Sequence, residues 1–521
     1  MTSGAAVRHR TDAATPEWER LNGRLILVHA SLLAAPLASW AATLVATGGK
    51  LNLQALITLG SLLITFLVVT SIGLMRYFTT RYRITDDRIE LRSGLLFRSQ
   101  RAIRLDRIRS VDLTANPVHR VFGLTSLRIG TGEQTYSAGR KLTLDGVSKA
   151  QAAELRQRLL SRRDAVLGQA AVEDDGLIAD LDWSWIRYAP LTIWGVGGVL
   201  AAVGTVYRTL HEMKVDPLQL GFVKAIENHY GSVPLWFGIL VTLLIVVVLG
   251  AIFSTATFTE GWYGYRLERE DAGTFRVLRG LFVTRSVTIE ERRLRGVELG
   301  ETMFLRWAGG ARLNAVASGL GDRDENRKRR MLTPPVPRAE ALRVAADVLS
   351  EDESPTSLTD LRHHPRIALR RRINRGLTVT ALIVIPLAGL GLWLSTTLLY
   401  AAGVTALILV PVSVALAYDA YRTLGHGMRG RYLVTRSGTF AHRTVALQRE
   451  GIIGWNISRS FFQRRAGLLT LGATTAAGEH CYKVRDVTVT DGLSFAEEAV
   501  PHLLTPFLER GTSHRRDRRR R

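Results

Sequence analysis

The sequence predicts an α+β multi-pass membrane protein with six transmembrane helices in three pairs, each pair followed by a small antiparallel β-sandwich closed by a C-terminal helix. Three observations lead to this fold class. Apolar stretches of membrane length occur in pairs, a strand-rich segment follows each pair, and the whole unit occurs three times in 521 residues. A bilayer core needs ~20 apolar residues per helix. A repeat on this scale decides the architecture before any local motif does.

The six apolar stretches are free of Asp, Glu, Lys and Arg, which supports their assignment as spans. Small residues such as Gly198, Gly389 and Gly391 recur in some of them and predict close helix packing. A substrate path through broken helices is the competing interpretation. The predicted spans are Leu25–Ala46, Ala55–Met75, Ala189–Tyr207, Val233–Phe253, Gly376–Ser395 and Leu398–Tyr418.

The spans divide the chain into repeated units joined by short linkers. Each unit has a transmembrane pair and one module, and the modules end where a helical pattern ends. The predicted segments are an N-terminal segment 1–22, pair 1 at 23–75, module 1 at 76–163, a linker 164–188, pair 2 at 189–258, module 2 at 259–350, a basic linker 351–375, pair 3 at 376–418, module 3 at 419–509 and an Arg-rich tail 510–521.

The first module has the clearest strand pattern. Apolar and polar residues alternate over 82–85, 89–92 and a long run 102–113, with turns of Asp, Ser and Gly between them. Period-two alternation in short runs is typical of antiparallel strands with one buried face. From 148 to 163 the apolar spacing becomes helical, which predicts the closing helix.

The other two modules follow the first in order. Tyr82 is matched with Tyr265 and Tyr432, each soon after a span. The turn at Gly94 is matched with Gly280 and Gly438. The segment Arg120-Val121-Phe122-Gly123-Leu124 resembles Arg306-Trp307-Ala308-Gly309-Gly310 and Arg465-Ala466-Gly467-Leu468.

Basic residues indicate which side of the membrane the modules occupy. The segment 76–111 contains ten arginines, and 362–375 contains six arginines and no acidic residue. The loop 208–232 between the second pair of spans is balanced in charge. The positive-inside rule therefore predicts a cytoplasmic N-terminus, three cytoplasmic modules and a cytoplasmic C-terminus.

These motifs resemble those of a known protein family. A membrane pair is followed by Tyr82-Arg83-Ile84-Thr85-Asp86-Asp87-Arg88-Ile89, by Gly94-Leu95-Leu96 and by Arg107-Ile108-Arg109-Ser110-Val111-Asp112-Leu113. This arrangement looks like the bacterial PH-domain membrane proteins of the YdbS/YdbT type, over about residues 17–509. The resemblance implies a pleckstrin-homology-like fold for each module and a place in the bacterial cell membrane. It implies no reaction, since the family is defined by its domains.

Motifs for catalysis, metals and cofactors are absent from the sequence. It has no zinc-protease pair of histidines, no phosphate-binding loop and no nucleophile elbow. The pair His363-His364 lacks companion ligands in the sequence, and the single cysteine, Cys481, excludes an internal disulfide. We therefore expect no enzyme activity, no cofactor and no metal.

Arginines beside the third pair and in the tail are the candidate contacts for anionic lipid. Basic clusters next to a membrane attract anionic headgroups by ~1 kcal/mol per charge. Serving only to fix topology is the alternative role. The candidates are Arg362, Arg366, Arg370, Arg371, Arg372, Arg375, Arg515 and Arg516.

The predicted function is that of a non-enzymatic scaffold or envelope-associated sensing platform, which displays three modules to protein or lipid partners. The alternative is a transporter or permeability factor that protects against membrane-active agents. Lipid bilayer and anionic lipids are the expected partners, with a homo-oligomer or a hetero-complex with a smaller PH-domain membrane protein. Nucleic acid is not expected, because the basic tail has no aromatic residues for base stacking.

Overall fold

A computed structural model gives the fold, and it separates into two compact units. Unit 1 contains Met1–Gly176 and Arg269–Glu290, and unit 2 contains Leu177–Glu268 and Glu291–Arg521. The structure describes residues 18–31, 53–85, 87–94, 98–105, 108, 110–130, 142–166, 176–191, 235–270, 273–319 and 329–507, with runs of one to three residues in 34–41 and 197–208.

Helices precede, interrupt and close the sheets. They are α1 (Leu25–Ser31), α2 (Leu53–Thr79), α3 (Pro117–Val121), α4 (Lys149–Val166), α5 (Leu235–Trp262), α6 (Met303–Trp307), α7 (Arg338–Leu349), α8 (Arg366–Leu394), α9 (Thr396–Arg422), α10 (Phe461–Arg465) and α11 (Val489–Ala499). Short 3-10 turns occupy Trp183–Leu191, Glu291–Arg293, Pro355–Ser357, Arg449–Gly451 and Thr505–Phe507.

Twenty strands are described. They are β1 (Glu19–Arg20), β2 (Arg81–Ile84), β3 (Arg88–Ser93), β4 (Ser99–Arg104), β5 (Ser110–Ala115), β6 (Leu124–Gly130), β7 (Leu142–Ser148), β8 (Gly176–Asp180), β9 (Arg266–Glu270), β10 (Thr274–Arg279), β11 (Thr284–Glu290), β12 (Leu294–Thr302), β13 (Gly310–Ala317), β14 (Val336–Pro337), β15 (Gly425–Arg429), β16 (Tyr432–Ser437), β17 (Ala441–Gln448), β18 (Ile452–Ser458), β19 (Leu468–Thr475) and β20 (Cys481–Thr488).

Four described helices are long and apolar enough to cross a membrane. Their candidate spans are Leu59–Thr79, Leu240–Trp262, Arg366–Leu394 and Thr396–Arg422, and a shorter apolar helix covers Leu25–Ala38. The predicted third span lies mostly outside the described residues, so the prediction of six spans in pairs stays a prediction. Large apolar side chains on these helices, such as Leu382 and Leu407, are 70% and 76% exposed, as expected of helices whose solvent is lipid.

Small residues allow close helix packing at two of the predicted positions. A Cβ at Gly391 would lie 2.6 Å from the backbone nitrogen of Leu399, and one at Gly198 would lie 2.5 Å from the Phe253 ring. Gly389 has open space around it. The packing prediction is therefore confirmed for Gly391 and Gly198 and is wrong for Gly389.

The first module is a β-sandwich in unit 1. One sheet has the order β1-β2-β3-β4, and strands β5, β6 and β7 belong to a second sheet. Side chains from both sheets and from α4 form one core, including Tyr82, Ile103, Val111, Leu127 and Leu159. The third module has the same construction in unit 2, where a core of Leu447, Leu471, Val484 and Phe495 joins β17, β19, β20 and α11.

The same order of elements occurs three times. Three strands lead into a short turn, one strand and a five-residue helix, then further strands and a closing helix. The five-residue helices α3, α6 and α10 each end before a glycine with positive φ, namely Gly123, Gly309 and Gly467. Gly94, Gly280 and Gly438 also have positive φ, and each precedes the helix-end glycine of its own module by the same number of residues.

Two details differ from the sequence predictions. The predicted strand run 102–113 is two strands, β4 and β5, because the chain turns at Leu105, where the Ile108 amide donates to the Leu105 carbonyl at 3.1 Å. The match of Tyr82 with Tyr432 is wrong, since Tyr82 lies on the first strand of its module and Tyr432 begins the second. Both side chains are fully buried, which explains why either resembles a core tyrosine in the sequence.

Successive modules are joined by strand pairing at their edges. In unit 1, β5 of the first module pairs antiparallel with β11, placing Leu113 opposite Ser286. In unit 2, β12 pairs antiparallel with β17 of the third module, placing Leu299 opposite Thr444. We call these two pairings seams. The second module is thus shared: β10 and β11 belong to unit 1, and β12 and β13 to unit 2.

The two seams have the same register. Leu113 and Leu299 each stand ten residues before the glycine that follows the five-residue helix of their module, Gly123 or Gly309. We call Gly123, Gly309 and Gly467 the turn glycines. Ser286 and Thr444 each stand six residues after Gly280 or Gly438. Both hydroxyl residues are buried. Because a one-residue slip would move every side chain to the other face, an identical register indicates a specific interface.

Gly296→Ala is expected to damage the seam in unit 2. Gly296 lies at a β-bulge with φ +153°, and a Cβ there would lie 1.9 Å from the Ala446 carbonyl oxygen. The strain should lower the free energy of unfolding by roughly 1–3 kcal/mol, measured by thermal unfolding in detergent.

Gly454→Ala is the matched control. Gly454 occupies the corresponding bulge of β18, and a Cβ there would meet nothing within 4 Å. An unchanged melting temperature for Gly296→Ala, or an equal loss in both variants, would contradict the role of the seam.

Candidate functional site

The predicted arginine cluster before the third pair of spans is divided between structural and exposed positions. Arg371 and Arg372, in the first turns of α8, both bind the carboxylate of Asp486. Arg362 pairs with Glu498 at 2.7 Å, and both of those side chains are about half exposed. Three of the predicted lipid contacts therefore have acidic partners within unit 2.

Asp486 is the centre of this arrangement. It is 3% exposed and has φ +60°, in a bulge of β20. Its carboxylate also accepts a hydrogen bond from the Gln463 amide at 2.9 Å. A buried carboxylate with three donors fixes the position of its partners. Since Arg371 and Arg372 belong to the helix that continues into the membrane span, Asp486 ties the third module to that span.

The first module makes the corresponding contact without charge. Gly146 has φ +81° in the bulge of β7, and its carbonyl accepts a 3.0 Å hydrogen bond from the Asn22 amide. A Cβ at Gly146 would lie 2.8 Å from a methyl carbon of Leu25 in α1. In both modules, the chain entering an apolar helix packs on the bulge of the module's second sheet.

The remaining arginines of the cluster are exposed. Arg366, Arg370 and Arg375 have no acidic partner among the residues that the structure describes. All three lie in α8 before its apolar part begins, so their charges are available to an anionic surface. Arg515 and Arg516 lie outside the described residues.

Two histidines form a buried pair beside Asp486. The His364 Nδ1 hydrogen donates to the Asp486 carbonyl at 3.2 Å, because a carbonyl only accepts. His364 Nε2 then accepts from His426 Nδ1 at 3.1 Å. The His426 ring packs edge-on against Phe495, with centroids 4.7 Å apart. Burial lowers the pKa of His426 to about 3 and also lowers the pKa of His364, so both rings are neutral at pH 7.

This pair explains one half of the His363-His364 motif. His363 is exposed, whereas His364 is 5% exposed and its backbone carbonyl accepts a hydrogen bond from Tyr421 at 2.9 Å. Sequence reasoning missed both His426 and Asp486, which come from distant parts of the chain. Among the described residues, no group of three or more His, Cys, Asp or Glu side chains is placed to hold a metal ion.

An open cavity of about 400 Å³ lies beside the seam of unit 2. Arg292, Arg295 and Arg431 line it together with Glu291. Arg431 also binds Glu351 at 3.1 Å, and the aliphatic part of Arg295 packs against Gly451. Cys481, the single thiol, is partly buried at the start of β20 and is not among the residues that line this cavity.

Asp486→Asn should destabilise unit 2, because it leaves Arg371 and Arg372 without their counter-charge while keeping the size and left-handed preference of the residue. We expect a loss of about 2–3 kcal/mol, below the ~3–5 kcal/mol of a fully buried pair because the arginines are partly exposed. Thermal unfolding at pH 7 measures this loss.

Glu498→Gln is the control and should lower the free energy of unfolding by under about 1 kcal/mol, as the loss of an exposed pair does. Equal effects would contradict the anchoring role.

Unit 2 should lose stability in acid through the histidine pair. The pKa of His426 is lower in the folded state than its ordinary 6.5, so the unfolded state binds the proton first. The stabilising contribution is complete above about pH 6.5 and is lost as the pH falls toward 3.

His426→Asn, which keeps a donor toward His364, should flatten the dependence of melting temperature on pH between 7.5 and 4.5. His363→Asn, at the exposed neighbour, should leave that dependence as in the parent protein. If the melting temperature of the parent protein does not decrease between pH 7.5 and pH 4.5, the acid sensitivity assigned to the histidine pair is refuted.

The likeness to known proteins agrees with this architecture. The bacterial PH domain family matches residues 28–163 and 380–498. The chain is 24% identical over 452 residues to UPF0699 transmembrane protein YdbT of Bacillus subtilis (strain 168), which covers 84% of this chain and 87% of that protein. No solved structure matches the chain significantly. The chain is thus a membrane protein with two segments that match bacterial PH domains, over its first and third modules and the apolar helices before them, and it is similar to YdbT along most of its length.

Proposed function

We propose that this protein is a non-enzymatic membrane scaffold whose PH-like modules stand in fixed positions on the cytoplasmic face of a bacterial plasma membrane and bind protein or lipid partners there. One observation carries the proposal. Asp486 holds the start of α8 against the third module, so that module is attached to a membrane helix by buried charge. A module held in this way presents its surfaces in a constant orientation to the membrane.

The seams support the same function. Strand pairing joins the first module to strands of the second, and other strands of the second to the third. Backbone hydrogen bonds along a seam restrict sliding, because register is coupled to side-chain burial. A chain of joined modules is suited to holding several contacts in order, which is the task of a scaffold.

The exposed arginines of α8 supply a lipid contact for this scaffold. Arg366, Arg370 and Arg375 precede the apolar part of the helix. Each cation near an anionic surface contributes ~1 kcal/mol, and the attraction weakens within a Debye length of ~8 Å. The ligand class is therefore the anionic headgroup of a membrane lipid.

Replacing Arg366, Arg370 and Arg375 with Gln should reduce the anionic lipid that co-purifies with the full-length protein. The measurement is quantified phosphatidylglycerol or cardiolipin per protein after extraction in mild detergent. The control replaces Arg465, Lys483 and Arg485, three exposed cations on α10 and β20, with Gln. Equal lipid retention in both triple variants would count against a lipid contact at α8.

Reporter fusions test the orientation. We expect fusions at Lys141, Glu325 and Arg510 to be active with a cytoplasmic reporter and silent with a periplasmic or extracellular one. The physical reason is the concentration of arginines around the modules compared with the balanced loop 208–232. A fusion that reports the outside at any of the three sites would overturn the proposed display of all modules on one face.

A further inference from the structure

The seams leave two module edges exposed at opposite ends of the series. Each seam joins the fourth strand of one module to the third strand of the next. The third strand of the first module, β4, pairs only with β3 among the described strands, and the fourth strand of the third module, β18, pairs only with β19. These are the two positions that have no neighbouring module within the chain.

We infer that β18 of one molecule pairs with β4 of a second copy of this chain, in the register of the internal seams. Ile457 stands ten residues before Gly467, as Leu113 and Leu299 stand before their turn glycines. Gln100 stands six residues after Gly94, as Ser286 and Thr444 stand after theirs. The shared register therefore places Ile457 of one copy opposite Gln100 of the other.

Burial distinguishes these edges from the internal ones. Leu299, which corresponds to Ile457, is 0% exposed, whereas Ile457 is 40% exposed. Ser286 and Thr444 are buried, whereas Gln100 is exposed. An exposed edge strand is a template for pairing with another chain. β18 therefore exposes an apolar side chain at a position where the corresponding leucine of the unit 2 seam is buried.

The bulge of β18 is compatible with pairing. Bulges commonly protect edge strands, but Gly296 forms the same bulge inside a seam, where its Cβ position is filled by the backbone of β17. Gly454 keeps this glycine in β18, with empty space at its Cβ position. The gap that a partner strand needs is thus present on the exposed edge.

An arginine at each seam gives an independent indication. Arg120, fourth residue of α3, donates to the Leu281 carbonyl beside β11. Arg306, fourth residue of α6, reaches His442 at the start of β17 and Asp419. The fourth residue of α10 is Arg464, which is exposed. The third module therefore repeats the side chain that reaches across a seam to the following module.

A second copy fits this edge because it supplies the matching strand. The β18 sequence, Ile452–Ser458, has no charged residue, and β4 is basic, so the pairing brings no like charges together. Head-to-tail pairing of one kind of edge with another is heterologous, so it produces rings or open rows of molecules. This inference rests on the proposed function only in requiring the modules to lie on one face of the membrane.

Cysteine cross-linking between two tagged populations tests the register. In a Cys481→Ser background, one full-length population carries Ile457→Cys and the other carries Gln100→Cys. Oxidation or a short bismaleimide should link the two populations to each other. Replacing Gln100→Cys by Val121→Cys, at an 82% exposed position away from the edge, should abolish the link. Equal linking with both, or linking with neither, would overturn the register.

Gly454→Val tests the pairing without disturbing the monomer. A side chain there meets nothing within 4 Å in one chain but would meet the backbone of β4 in the pair. We expect the parent protein in detergent to sediment as dimers and larger species with rising concentration, and Gly454→Val to sediment as a monomer with an unchanged melting temperature. Thr490→Val, at an exposed site on α11, should associate like the parent.

A parent protein that stays monomeric at every concentration, or a Gly454→Val variant that still associates, would overturn the inference. The reporter fusions separate this result from the proposed function. Cytoplasmic reporters together with a monomeric protein would reject the head-to-tail contact and leave the membrane scaffold standing. An outward-facing module would reject the scaffold directly.

Discussion

Antiparallel pairing between the edges of neighbouring modules is the interaction on which the rest of the structure depends. It joins β5 to β11 and β12 to β17, and it determines which halves of the second module belong to which compact unit. Pairing at an edge satisfies backbone donors and acceptors that would otherwise face water or an unrelated strand. In both seams a small hydroxyl side chain lies opposite leucine, and in unit 2 the bulge glycine also lets the strands approach, so the sequence at that seam is constrained by backbone contact.

Attachment to the membrane is the second constraint, and two modules meet it by different chemistry. In the first module, an uncharged Gly146 in a left-handed bulge accepts a backbone hydrogen bond from the segment before α1. In the third, Asp486 has the corresponding conformation and adds a carboxylate for Arg371 and Arg372. The charged version is more specific, because its arginines must remain near it, and it removes two cations from those available to lipid.

The sequence predicted the parts of this protein that follow from local patterns. Apolar length indicated the membrane helices, period-two alternation indicated the strands around Ile89 and Ile103, and the turn glycines indicated the order of elements. The seams were not predictable, since strand pairing between modules depends on contacts far apart in the chain. The arginine cluster was visible in the sequence, but which of its arginines are paired with acidic residues and which are exposed was not. Nothing near Arg371 in the sequence indicates that Asp486 binds it. His426 was missed for the same reason, as its partner His364 is 62 residues away.

The sharing of the second module has a consequence for how the protein can be divided. A fragment cut at 259 and 350 would carry β11 and β12 without the strands that cover them. In that fragment, the backbone donors and acceptors with which β11 pairs to β5 and β12 pairs to β17 in the intact chain would lose their partners. The middle module is therefore not an independent domain, because its strands complete the sheets of both neighbouring modules. During synthesis β12 emerges from the ribosome before β17, the strand of the third module with which it pairs.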